Sequence, residues 1–290
     1  MAGFATWLAA QRARRVLLIA ALFPLPLLGL VSAAIVVMTV QVHGWRETLF
    51  DCVLAFVVLA GLGFVAGMDM PVLLAGAVIS WVIWLLLGTV LATTGSLTLA
   101  VQGAVLMTLA AALALVVLVA DPAAYWEQVL TELYAQLPQQ DFSAGIDIAQ
   151  QARLMSGVVL AGTLTGGIIA LLLGSSLASR IRDGGHAEQF AGLRMGYVIG
   201  GLAALAGVAA LIGWGPDGLL LIFGAAFMFH GIAVLAWWAR QRGWPGGWWI
   251  GLCILPILLP DFLVIVATLF AAIGFIDNWF DLRRVPQSPT

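Results

Sequence analysis

Eight stretches of this chain are each apolar over about the length that fills a bilayer, and that repetition leaves few folds open. They cover residues 16–40, 50–68, 71–92, 97–120, 154–178, 195–214, 218–239 and 247–275. A hydrocarbon core of about 30 Å is crossed by about 20 helical residues. Lipid offers the backbone no hydrogen-bond partners, so a crossing satisfies its own N–H and C=O groups as a helix or as part of a closed barrel. The runs are continuous rather than alternating, which excludes the barrel. The expected fold class is therefore all-α, a polytopic transmembrane helical bundle of about eight hydrophobic segments. Composition points the same way: 63% of the residues are hydrophobic and 9% charged, against about a quarter charged in a soluble domain. Twelve arginines, no lysine and 14 acidic residues cannot coat a water-facing exterior of this size.

The first run follows Arg12, Arg14 and Arg15 and passes a small-residue site at Val31, Ser32 and Ala33, as a signal peptide would. The sequence stays apolar beyond that site, so the run reads as an uncleaved membrane segment. Cys52 and Cys253 each sit inside an apolar run and read as small buried hydrophobes. No basic run interleaved with aromatics suggests nucleic acid as a partner.

Two runs differ from the rest. The first contains Pro24 and Pro26, the last Pro256 and Pro260, and proline removes a backbone donor and clashes with the preceding turn, so both are expected to be kinked or broken. Arginine distribution bears on how they sit, because arginine prefers cytoplasmic loops. If all eight runs cross once, the group between Arg180 and Arg194, and Arg240 with Arg242, face outward when the N-terminus is inside. If the first and last runs instead enter and return as broken pairs, eleven of twelve arginines face the cytoplasm. Both arrangements stay open at this point, the second requiring that the half-helices be hidden in protein or face a water-filled cavity.

A single integral membrane domain over 1–290 is the simplest division, with one polar amphipathic loop at 121–153 holding five acidic residues and one arginine. Within the loop, Asp121 and Pro122 look like a helix start, and Tyr125, Trp126, Val129, Leu130, Leu133, Tyr134 and Leu137 form an apolar stripe, expected to rest on the membrane interface. Small residues at spacing four, Gly63 with Gly67, Gly162 with Gly166 and Gly196 with Gly200, read as helix-packing positions. Trp237, Trp238, Trp244, Trp248 and Trp249 fit an interfacial belt, with Arg240 and Arg242 at the head groups.

The sequence holds no HExxH, GxSxG, GxxxxGK or paired CxxC motif, so no catalytic, cofactor-binding or metal-ligating residue is assigned and the chain is not expected to be an enzyme. Three polar residues inside apolar runs are candidates for one polar cavity: Asp261, His230 and Gln102. A carboxylate in lipid must face protein or water. Directly after Pro260, Asp261 either caps a second half-helix or binds a proton, cation or polar solute at a broken helix. His230 reads equally as an interhelical hydrogen-bond partner.

The C-terminal stretch from Gly274 to Arg284, GFIDNWFDLRR, resembles the closing motif of the YybS-like predicted membrane proteins, a family of unknown function. The start, Arg12 to Arg15 followed by Phe23-Pro-Leu-Pro-Leu27, Leu30 to Ala34 and the His43-Gly44 turn, and the loop from Glu188 to Arg194 are similar to the same family's layout. That resemblance implies a bacterial inner-membrane, multi-pass protein similar in outline to the substrate-binding S components of energy-coupling factor transporters, and hence a small solute or vitamin-like molecule as ligand. The expected partners are the lipid bilayer and either a small-molecule solute or other membrane proteins. The alternative is a membrane scaffold or assembly factor that docks other membrane proteins through its glycine-rich faces and the Arg283/Arg284 tail. An intramembrane enzyme using Asp261 is a third reading, with no motif behind it.

Overall fold

The computed structural model describes residues 2–25, 27–136, 147–182, 186–244 and 260–284. The regular structure there is entirely helical: α1 Ala2–Ala10, α2 Arg12–Leu22, α3 Gly29–His43, α4 Trp45–Val65, α5 Met70–Thr94, α6 Leu97–Leu118, α7 Pro122–Ala135, α8 Ile148–Arg182, α9 His186–Ala191, α10 Gly196–Leu211, α11 Leu219–Gln241 and α12 Pro260–Phe280. Helices α4, α5, α6, α8, α11 and residues Leu263–Phe280 of α12 are long and apolar enough to cross a membrane. The chain is a multi-pass integral membrane protein. The run at 195–214 forms α10, whose 16 residues fall short of a full crossing.

Packing divides the chain into two compact units that no linker marks in the sequence: Met1–Ala104 with Gly166–Leu193, and Val105–Thr165 with Arg194–Thr290. In the first, the expected break in the opening run is present. Pro24 lies in a turn after the 11-residue α2, Leu27 adopts a left-handed φ of 63°, and the 15-residue α3 follows. The two form a hairpin, because Ser32 Oγ donates to the Ile19 carbonyl at 2.8 Å and Arg15, at the outer end of α2, stands 3.3 Å from His43 Nε2 at the outer end of α3. Neither half is long enough to cross alone, and the burial of α3 shows how it is accommodated. All nine residues from 32 to 40 are buried, so α3 is apolar on every side because it has protein on every side.

Helices α5 and α8 approach α3 through glycines. A Cβ placed on Gly88 would touch Val40 and Val37, and one on Gly174 would lie 2.7 Å from Val37 and 2.8 Å from the Ala34 carbonyl. At the end of α8, Arg182 donates to the Gln41 carbonyl.

In the second unit, Asp121 accepts from Ala124 N–H at 3.0 Å and starts α7 as expected. Trp126 and Tyr134 of its apolar stripe are bonded to α8. Trp126 Nε1 donates to Ser156 Oγ at 2.9 Å, Tyr134 OH donates to Gln151 at 2.8 Å and Leu130 is buried, while Tyr125 and Leu133 stay exposed; Leu137 lies outside the described residues. The last hydrophobic run is described only from Pro260, leaving Cys253, Pro256, Trp248 and Trp249 outside. Its second half is not a short half-helix, because α12 runs for 21 residues from a proline at its first position.

Helices α11 and α12 are antiparallel: Gly231 meets Phe270 while Phe227 meets Gly274 and Phe275. Arg240 and Arg242 at the end of α11 therefore lie at the opposite end of this pair from Arg283 and Arg284, which follow α12. An arrangement placing both arginine pairs on one side through a re-entrant last run does not fit this geometry.

Gly174→Ala should lower the thermal unfolding midpoint in detergent, since overpacking against a backbone carbonyl costs about 1–3 kcal/mol. Gly162→Ala on the same helix, where a Cβ would meet nothing within 4 Å, should leave it unchanged.

Candidate functional site

The tightest approach in the second unit is the crossing of α11 and α12. A Cβ on Gly231 would run into the carbonyl of Phe270, and one on Gly274 into the carbonyl of Phe227, so the two backbones touch. Helices separated by ordinary side chains stand about 8–10 Å apart. Here the glycines remove that spacing, and the polar residues beside them are brought together. His230 precedes Gly231 on α11, and Asp277 lies three residues, just under a turn, beyond Gly274 on α12.

His230 Nε2 lies 2.9 Å from Asp277 Oδ2. Arg283, in the turn after α12, donates from Nη2 to the same carboxylate oxygen at 2.8 Å and stands 3.1 Å from His230 Nε2. All three side chains are buried. In the neutral imidazole one ring nitrogen carries the proton and the other a lone pair. Nε2 faces an acceptor, Asp277 Oδ2, and a donor, Arg283 Nη2, at once, and its role toward each is set by which ring nitrogen carries the proton. Burial pulls the Arg283 guanidinium below its ordinary pKa, and the neighbouring Asp277 carboxylate acts against that.

The cluster leaves bonding capacity open. Among the described residues, His230 Nδ1 and Asp277 Oδ1 are buried and find no hydrogen-bond partner. Asp277 Oδ1 is an acceptor. His230 and Asp277 line a cavity of about 190 Å³ with Arg194, Gly196, Tyr197, Asn278, Trp279, Asp281 and Arg284. Its rim is tied by further pairs. Asp281 accepts from Arg194 Nη2 at 2.7 Å and from Arg284 Nε at 3.2 Å, and Asn278 Nδ2 donates to the Gly196 carbonyl at 3.2 Å. Among the described residues no group of three His, Cys, Asp or Glu side chains could hold a metal ion.

Of the three residues singled out from sequence, His230 is at this site and the others are not brought to it. Asp261 is in the first turn of α12, a position that complements the helix dipole. It is sixteen residues, or about 24 Å, from Asp277 along the same helix, and its side chain lies outside the described residues. Gln102 is half-buried in α6 and belongs to the other unit. The tail reading of Arg283 and Arg284 is corrected: Arg283 is buried against Asp277 and cannot dock another protein, although Arg284 remains exposed.

Sequence reasoning missed Asp277 because the last apolar run was ended at Phe275, while α12 continues to Phe280. Extending the rule that intramembrane carboxylates need partners by one turn would have found it.

A second buried ion cluster, also missed, lies in the first unit. Asp51 on α4 is fully buried, and Arg15 Nε donates to its Oδ2 at 2.8 Å. Arg12 Nε stands 2.9 Å from Oδ1, close enough for an ion pair but not aligned as a hydrogen bond. Arg15 also donates to the Ala9 carbonyl at 2.8 Å.

Comparison of the chain with protein-family models, with curated proteins and with solved structures finds no match.

Breaking a buried ion pair from one side leaves an uncompensated charge and typically costs about 3–5 kcal/mol, whereas removing both partners can be nearly neutral. Arg283→Met alone should therefore lower the unfolding midpoint strongly. The double variant Arg283→Met with Asp277→Leu should recover much of the loss, a coupling that a double-mutant cycle reads directly.

Proposed function

We propose that this integral membrane protein binds a small polar solute at the His230/Asp277 cavity, as a transport-associated subunit of the bacterial inner membrane in the manner of S components. The observation that carries the reading is a buried ionic pair, His230 with Asp277, that lines a cavity rimmed by Arg194, Arg284, Tyr197 and Asn278. A solute bringing N–H or O–H donors suits the Asp277 carboxylate. Donors on the rim, Arg194, Arg284, Tyr197 and Asn278, suit acceptor atoms on the same solute.

Size narrows the class. Ligand pockets for drug-sized molecules usually measure about 300–1,000 Å³, and 190 Å³ has room for on the order of six waters. A vitamin-sized ligand exceeds it. The reading favours a compact solute with both donors and acceptors, such as a small amine, amino acid or hydroxy acid. The resemblance of the Gly274 to Arg284 motif to YybS-like proteins adds weight, since that motif contains Asp277, Asn278, Trp279, Asp281, Arg283 and Arg284.

Titrating purified protein in neutral detergent with a panel of small amines, amino acids, hydroxy acids and polyols should raise the unfolding midpoint for one class in a concentration-dependent way. Asp277→Asn and the exposed-rim variant Arg194→Gln should each abolish or weaken that shift, and Asp261→Asn should not. A panel in which no compound stabilises the protein, or in which Asp261→Asn alone removes the response, would count against this site.

A further inference from the structure

The first unit holds a groove between α4 and α5 that is unrelated to the polar cavity. It has a volume of about 440 Å³ and an essentially apolar lining from Leu49, Cys52, Val53 and Phe56 of α4 and Val78, Trp81, Val82, Leu85 and Leu86 of α5. Its walls and floor differ. Leu49, Val53, Val78, Val82 and Leu86 are each about half-exposed, whereas Cys52 and Trp81 are buried. The groove is therefore open along its length with a closed base, and its size falls in the range of about 300–1,000 Å³ usual for ligand pockets. It follows α4 for about 10 Å, the rise over the seven residues from Leu49 to Phe56.

One end is charged. Arg46 lies three residues before Leu49 and seven before Val53, so it shares their face of α4. It is exposed, its guanidinium sits 5.4 Å over the Trp45 ring, and among the described residues it has no acidic partner. Arginine beside tryptophan at a helix end is the arrangement that anchors at lipid head groups. Apolar walls with an uncompensated cation at the head complement an amphiphile whose chain is apolar and whose head is anionic.

We propose that the α4/α5 groove binds one acyl chain of an anionic glycerophospholipid, with Arg46 holding the phosphate at its mouth. The selectivity rests on Arg46 and the capacity on the groove walls.

Native mass spectrometry of the full chain, released from neutral detergent after equilibration with equal amounts of phosphatidylglycerol and phosphatidylcholine of the same chains, tests this. The wild type should retain phosphatidylglycerol with a preference of about fivefold, the weight of one basic side chain near an anionic surface. Arg46→Gln should bring the two lipids to parity. Val53→Trp and Val82→Trp, which fill the groove from half-exposed positions, should lower retention of both. A diazirine-bearing phosphatidylglycerol should label peptides spanning 45–56 and 78–86 in the wild type. Equal retention of both lipids by the wild type, a preference that survives Arg46→Gln, or labelling confined to other helices overturns the proposal. So does a dimer that Val53→Trp dissociates, which would make the groove a contact between copies.

Discussion

The contact between the backbones of α11 and α12 at Gly231 and Gly274 is the constraint on which the polar site depends. A methyl group at either position would force the helices apart and lengthen the 2.9 Å contact between His230 and Asp277. Lipid makes that consequential. In water a separated His and Asp would be rehydrated, but in a bilayer a buried carboxylate without its partners is costly enough to change where the helix can sit. Close packing and charge compensation are thus one requirement at this crossing. Arg283 belongs to the same requirement, because the turn after α12 returns the guanidinium to the carboxylate.

The α2/α3 hairpin answers a related problem in the first unit. Prolines break the opening run into two helices, and broken ends expose backbone groups that lipid cannot satisfy. The solution is placement. Helix α3 is enclosed by its neighbours, with α5 and α8 meeting it through Gly88 and Gly174, and Ser32 spends its hydroxyl on the Ile19 carbonyl of the partner half. The arginines at the outer end of α2 then meet Asp51 on α4, so the hairpin is held at its base by charge and along its length by packing.

How much of this could be read from the sequence depended on the range of the interaction concerned. Fold class was legible, because apolar runs of span length leave the backbone few options. The start of α7 at Asp121 and Pro122 and the break after α2 were legible too, since capping residues and prolines act within a turn of themselves. The site was legible only in part. His230 stood out as a polar residue inside an apolar run, but its partner is 47 residues away, and no local rule joins the two. Each spacing-four glycine pair supplied one close approach, Gly63 to Leu73, Gly166 to Leu30 and Gly200 to Asn278, while Gly67 and Gly162 meet nothing; Gly231 and Gly274, paired across two helices, meet backbone and carry no such spacing. The informative pattern lay between two helices of the chain, and a single sequence does not display it. Asp261 was conspicuous for its apolar neighbours, yet its place in the first turn of α12 gives it a helix terminus to complement.

The two buried carboxylates also show why one cluster reads as a site and the other as a fastening. Both Asp51 and Asp277 are almost wholly removed from solvent, and both face arginine. Asp51 has a cation at each oxygen, Arg15 at Oδ2 and Arg12 at Oδ1, so its charge is spent within the protein. Asp277 receives both of its partners on Oδ2 and lines a cavity. Burial, a facing arginine and one oxygen without a hydrogen bond are common to both, so none of these separates them; what does is that Asp277 shares its oxygen with His230 and lines a cavity, whereas Asp51 ties α2 to α4.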